Sequence, residues 1–161
     1  MSDEKLKLNK NTENKILASA LTHFSNSGYR GTSVSAITLD SDVTKPMLFY
    51  YFKNKEDLFV RLAVSCFELV LKSLDSAKSL PLLHDTMPAF YSHFNNLNLK
   101  NPLAVKFALS LFACRQLGAP EVGTVEFGEK MKNLIFQFVK KASENGEFLP
   151  EKIKPLTFML N

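Results

Sequence analysis

The sequence predicts an all-α protein, with a head of three short helices followed by a helical bundle. Three observations carry this. Apolar residues recur at three- and four-residue spacing, as in Ile16, Leu17, Ala20, Leu21 and Phe24. No strand signature of convincing length is present. Helix-start and helix-stop residues punctuate the chain at short intervals in its first third and at longer ones afterwards.

The elements follow in order. Residues 1–11 are rich in Lys and Asn and are expected as a flexible arm. A first helix is predicted from about Thr12 to Ser27 and is stopped by Gly28. Thr32 or Ser33 caps a short second helix carrying Val34 and Ile37, which "LDSD" breaks. A third short helix starts behind Thr44 and runs to Phe52. Asn54 caps a fourth, with Glu56 and Asp57 in its first turn, where the helix dipole favours acids. Its apolar stripe of Phe59, Leu62, Ala63, Cys66 and Val70 reaches about Ala77. Further helices are predicted at about Leu82–Leu97, Pro102–Leu117 and Glu121–Asn145, the last ending at Gly146. Residues 1–54 are read as one domain and 55–161 as a second.

Composition bounds the function. The 161 residues suffice for one domain or for a small domain joined to a larger one. A net charge of +4 leans mildly toward polyanions. Cys66 and Cys114 lack metal spacing and fall in apolar helical pattern, as buried free thiols do in a reducing cytoplasm. The polar N-terminus is no signal peptide, and no apolar run approaches the roughly 20 residues a bilayer requires, so no membrane partner is expected. His84 and His93 have no third ligand at metal spacing. No nucleophile–base order and no Gly-rich phosphate loop stands out, so neither catalysis, cofactor nor metal is expected.

The stretch "TKPMLFYYF" carries the chemistry. With Thr44 as N-cap, Pro46 falls in the first turn, where its missing N–H costs nothing. Leu48 and Phe52 are four apart and face the core, while Lys45, Pro46, Met47, Phe49 and Tyr50 lie on the other side. Two short helices joined by a tight turn, the second with an outward polar and aromatic face, make a helix-turn-helix. In that motif the second helix enters the major groove of double-stranded DNA. Thr32, Ser33 and Lys55 sit at helix starts, where free N–H groups and cations meet phosphates. The same wheel also describes plain helical packing.

The order of residues narrows the choice. "ILASALTHFSNSGYRGTSVSAIT", followed by "VTKPMLFYYFKNKEDLF", resembles the N-terminal domain of the TetR/AcrR family of bacterial transcriptional regulators over about Ile16–Phe59. The resemblance implies a recognition helix at about Lys45–Phe52, with Lys45, Pro46, Met47, Phe49 and Tyr50 facing DNA. It places Tyr51 and Lys55 at phosphate-binding positions and makes Thr32, Ser33 and Ser35 the second helix's contacts; Thr44, at the start of the recognition helix, is also expected to bind DNA. Three residues depart from the family pattern. Phe49 replaces the usual Tyr, Ser35 stands where many members are basic, and Asp42 replaces the turn Gly.

For the remaining two-thirds the resemblance implies a helical domain that binds a small-molecule effector and dimerises. Phe90, Tyr91, Phe94, Phe107, Leu111, Arg115, Phe127 and Met131 are candidate pocket residues, apolar walls with sparse polar groups that suit a largely apolar ligand. The same residues describe an ordinary bundle core. Relative to the family pattern the last one or two helices are missing, since the sequence stops near "PLTFMLN". The expected function is that of a ligand-responsive repressor, a cytoplasmic homodimer on a palindromic operator. The alternative is a truncated helical ligand-binding or interaction module with a weak or vestigial DNA-binding head.

Overall fold

The computed structural model describes residues 3–75, 83–113, 119–122 and 124–146. Among the described residues there are seven helices and no strand: α1 (Asp3–Gly31), α2 (Val34–Asp40), α3 (Lys45–Tyr51), α4 (Lys55–Asp75), α5 (Leu83–Lys100), α6 (Pro102–Ala113) and α7 (Thr124–Glu144). The expected all-α class and the order of the helices are both present. Cys114, Arg115 and the apolar tail after Gly146 lie outside the described residues.

Each boundary has a local cause. Gly28 takes φ 68 and ψ 178, a backbone open only to glycine, so the chain kinks there before "YRG" completes α1. Where the sequence predicts a flexible arm over 1–11, the structure has helix from Asp3. That segment holds neither Gly nor Pro, and extending an existing helix avoids the cost of nucleating one. Ser33 caps α2 by accepting the Ala36 N–H at 3.0 Å. Asn54 caps α4 by accepting the Asp57 N–H at 2.8 Å, and the Asp57 carboxylate reaches back to the Lys53 N–H at 3.0 Å. At the far end of α7, Gly146 takes φ 76 and donates to the Ser143 carbonyl at 3.0 Å, as a residue just past a helix end does.

The chain divides into two compact units, Met1–Cys66 with Leu103–Val122, and Phe67–Pro102 with Gly123–Asn161. The first takes in the expected head together with the first half of α4 and most of α6. Its core is aromatic: Phe59 receives Phe24 and Tyr29 at ring centroid distances of 4.9 Å, and Phe107 of α6 at 5.5 Å, all edge-on. Such pairs add about 0.5–1.5 kcal/mol each beyond the area they bury. Ile16, Ala20, Ile37, Leu48, Phe52 and Leu58 complete that core with no exposed surface. His23, half-buried on α1, stands 3.7 Å from the Asp40 carboxylate of α2.

In the second unit α5 packs on α7. Phe67 stacks on Phe127 at 4.2 Å, and Val70, Leu97 and Leu134 are also buried in this unit. The Ser73 hydroxyl donates to the His93 carbonyl at 3.2 Å. Cys66, which belongs to the first unit, is a buried free thiol, and burial raises its pKa to about 11, as expected of a packing residue. No helix among the described residues is long and apolar enough to cross a membrane.

Candidate nucleic-acid interface

The candidate interface is built on α2, the turn after it, α3 and the start of α4. The turn is held from inside. The Ile37 carbonyl accepts the Ser41 N–H at 3.0 Å, the Ser41 hydroxyl at 2.6 Å and the Ser19 hydroxyl of α1 at 3.1 Å. Both serines are buried, so these bonds tie the end of α2 to α1 out of solvent. Asp42 then takes φ 53, the left-handed region where the family pattern has Gly. Val43 N–H closes the turn on the Thr38 carbonyl at 3.0 Å.

Thr44 starts α3 in extended backbone and accepts the Met47 N–H at 3.3 Å, with Pro46 in the first turn as predicted. Leu48 and Phe52 are fully buried, and their spacing of four fixes which side of this two-turn helix meets the core. The other side is presented outward. Lys45, Pro46, Met47, Phe49 and Tyr50 are all exposed, Met47 and Phe49 to 46% and Tyr50 to 75%. Tyr51 is half-buried and meets the Tyr50 ring edge-on at 5.2 Å. The five residues predicted to face DNA therefore share one surface. Ser33, the cap of α2, and Ser35 within it are exposed, and Lys53 is exposed after α3.

Two predicted residues have a different setting. The side chain of Thr32 is buried, its hydroxyl donating to the Gly28 carbonyl at 2.8 Å. Lys55 is half-buried: its ammonium donates to the Thr32 carbonyl at 2.7 Å and lies 4.3 Å from the centroid of the Tyr29 ring. Burial holds its pKa below the ordinary lysine value. Lys55 thus joins the start of α4 to the loop before α2, and one of its three N–H donors is committed to that carbonyl. Tyr29, which sequence reasoning did not single out, forms the floor of this contact. Burial first, and the Glu56 carboxylate second, raise its pKa. The signal in the sequence is the aromatic ring directly after Gly28, the residue that ends the first predicted helix.

The candidate pocket residues are not gathered into one unit. Phe107 and Leu111 are buried in the first, where Phe107 serves as a wall for Phe59. In the second, Tyr91 is exposed, Phe94 and Met131 are half-buried, and Phe127 is buried against Phe67. The side chain of Phe90 lies outside the described residues, as does Arg115. An open cleft of about 400 Å3 lies elsewhere on the head, lined by Lys15, Ser19, Thr22 and Asp40–Asp42, with no residue of α3.

Comparison with known proteins shows what the chain is similar to. Residues 16–62 match the model of a family described as bacterial regulatory proteins, tetR family. The negative transcriptional regulator IcaR of the biofilm operon icaADBC, from Staphylococcus epidermidis, is 29% identical over 82 residues, which cover 48% of this chain and 44% of IcaR. The probable HTH-type transcriptional regulator YttP of Bacillus subtilis is 38% identical over 68 residues, covering 42% of this chain and 33% of YttP. These matches span less than half the length of either relative. In fold, a tetR-family regulatory protein from Rhodococcus RHA1 superposes with a TM-score of 0.73 at 16% identity, over 92% of this chain and 78% of that one.

Proposed function

We propose that this chain, whose residues 16–62 belong to the tetR family of bacterial regulatory proteins, is a sequence-specific DNA-binding transcriptional repressor. The observation that carries the reading is the division of α3. Leu48 and Phe52 are buried to the last atom, while Lys45, Pro46, Met47, Phe49 and Tyr50 stand clear of the same helix. A two-turn helix of this kind has no stability of its own. The buried hydrogen bonds at Ile37 and the cap at Thr44 hold it in place before DNA arrives, so little ordering is left to oppose binding.

In the proposed mode α3 lies in the major groove. Ser33, Ser35, Tyr51 and the start of α4 at Lys55 meet the flanking phosphates. Two copies of the chain place two such helices on a palindrome, with half-sites one helical turn apart, about 34–36 Å. IcaR's role as a negative regulator favours repression over activation. The helical region around Phe94, Phe127 and Met131 binds a small, largely apolar effector. That effector releases the operator by binding the DNA-incompetent conformation more tightly than the competent one. The protein acts in the cytoplasm, where its operator is.

The experiment is a selection from a randomised duplex pool with the full chain as bait. The expected outcome is enrichment of a two-fold symmetric sequence that binds in preference to a scrambled duplex. A pool that stays random through the rounds overturns the proposal.

A further inference from the structure

The outward face of α3 has an unusual donor inventory for a helix that reads bases. The helix is "KPMLFYY". It contains no Arg, Asn or Gln, the side chains that make paired hydrogen bonds to guanine or adenine. It contains no Asp or Glu to accept from cytosine. Its outward face, whose N-terminal residues would meet base edges, offers the Pro46 ring, the Met47 thioether and the Phe49 ring. Met47 and Phe49 are each 46% exposed. Cations flank this apolar strip: Lys45 at one end and Lys53 just past the other, both exposed. Tyr50, beside it, carries a hydroxyl.

An apolar strip between cations fits a partner that is anionic at its edges and apolar at its centre. The major groove has one apolar group on its floor, the C5-methyl of thymine. We infer that α3 selects its half-site through thymine C5-methyl groups seated on Met47, Phe49 and Pro46, with paired hydrogen bonding to base edges playing a minor part. The half-site is accordingly a run containing several A·T pairs, with the methyl-bearing strand toward Met47 and Phe49. Lys45 and Tyr50 supply the polar contacts at its two ends. The inference rests on the DNA-binding reading of this surface and deepens it by naming the chemical group that is read.

The test uses the full chain and the duplex recovered by the selection described above. Each thymine is replaced in turn by uracil, which keeps base pairing and removes only the methyl. The expected result is a weakening of roughly fourfold at each of two or more adjacent positions per half-site, the scale of losing one buried CH2-sized group. Exchanging such a T·A pair for C·G weakens binding further, and 5-methylcytosine at that position recovers part of the loss where cytosine does not. Met47→Ala and Phe49→Ala, both at exposed positions outside the core, bind the thymine and uracil duplexes alike. Uracil duplexes that bind within twofold at every position, while still preferred to a scrambled duplex, overturn the inference and leave DNA recognition standing. If the selected duplex is not preferred to the scrambled one, the DNA-binding reading fails and takes the inference with it.

Discussion

At the scale of single residues, the turn between α2 and α3 shows how a local cost and a functional charge meet in one side chain. Asp42 occupies φ 53, where a residue with a Cβ is strained and Asp less so than most. Its carboxylate is exposed in the turn immediately before the helix proposed to enter the groove. Asp42→Gly removes both the strain and the charge; Asp42→Asn removes the charge alone. The glycine variant should be more stable by less than about 1 kcal/mol, since glycine's larger unfolded-state entropy offsets part of the relief. In thermal denaturation the asparagine variant should stay within roughly 0.5 kcal/mol of the wild type. Both should bind duplex DNA more tightly at low salt, by roughly two- to fivefold, with the gain fading as screening shortens the reach of the charge. Equal affinities for wild type and Asp42→Asn at low salt would mean that the turn lies away from the phosphates. The substitution and its backbone consequence were legible in the sequence, because Asp is one of the few residues that tolerates this region. The role of Lys55 was legible only in part. Its ammonium was assigned to phosphate, yet in the fold it also reaches the Thr32 carbonyl at 2.7 Å across 23 residues of sequence. No spacing rule reports such a contact, since it depends on how α1 and α4 converge.

At the scale of elements, the beginnings of the helices were readable and some of their extents were not. Caps are local: Ser33, Thr44 and Asn54 each satisfy N–H groups within three residues; Thr44 and Asn54 were expected, and Ser33 was one of two candidates beside Thr32. The start of α1 at Asp3 was not legible, because "KLKLNKNTENK" has no apolar stripe to declare a helix and yet contains nothing to stop one. The cap of α4 yields a pH prediction. Burial alone pushes the Asp57 carboxyl up. The hydrogen bond from the Lys53 N–H, and then the Arg61 side chain at 3.1 Å, outweigh it, and the carboxyl is held below the usual carboxylate value. A carboxyl that ionises more easily folded than unfolded stabilises fully above its unfolded pKa of about 3.9 and loses that contribution as pH falls through the lower folded value. Asp57→Asn keeps an acceptor for the cap and discards the charge. It should therefore cost roughly 0.5–1 kcal/mol at pH 7, the scale of an acid in a first helical turn with an exposed ion pair. The gap in melting temperature to wild type should close as pH is lowered toward about 3. A gap that stays constant over that range would assign the effect to packing instead of charge.

At the scale of the whole molecule, the proposed repressor would engage DNA with one head or with two. A net charge of +4 is too small for the overall field to drive binding, so affinity must come from cations placed at the interface. Each head places three lysines around α3, namely Lys45, Lys53 and Lys55. Each phosphate neutralised contributes about −0.9 to the slope of log K against log salt, so two heads on a palindrome should give roughly −5 and one head about half that. Anisotropy titrations of the selected palindrome and of its isolated half-site, between about 50 and 200 mM salt, would measure both slopes across the range where such contacts lose most of their affinity. Sedimentation velocity of the palindrome complex would count the chains independently. Two chains with the steeper slope fit a symmetric repressor whose heads are held at the spacing of successive major grooves. One chain with the half slope on both duplexes would remove the palindrome from the proposal while keeping α3 as the reading element. Saturable binding absent at every salt concentration would leave a helical interaction module whose head keeps the fold and has lost the contact. The slope separates these outcomes because it counts phosphates neutralised, whichever bases are read, and only a second head can double that count without any change in α3.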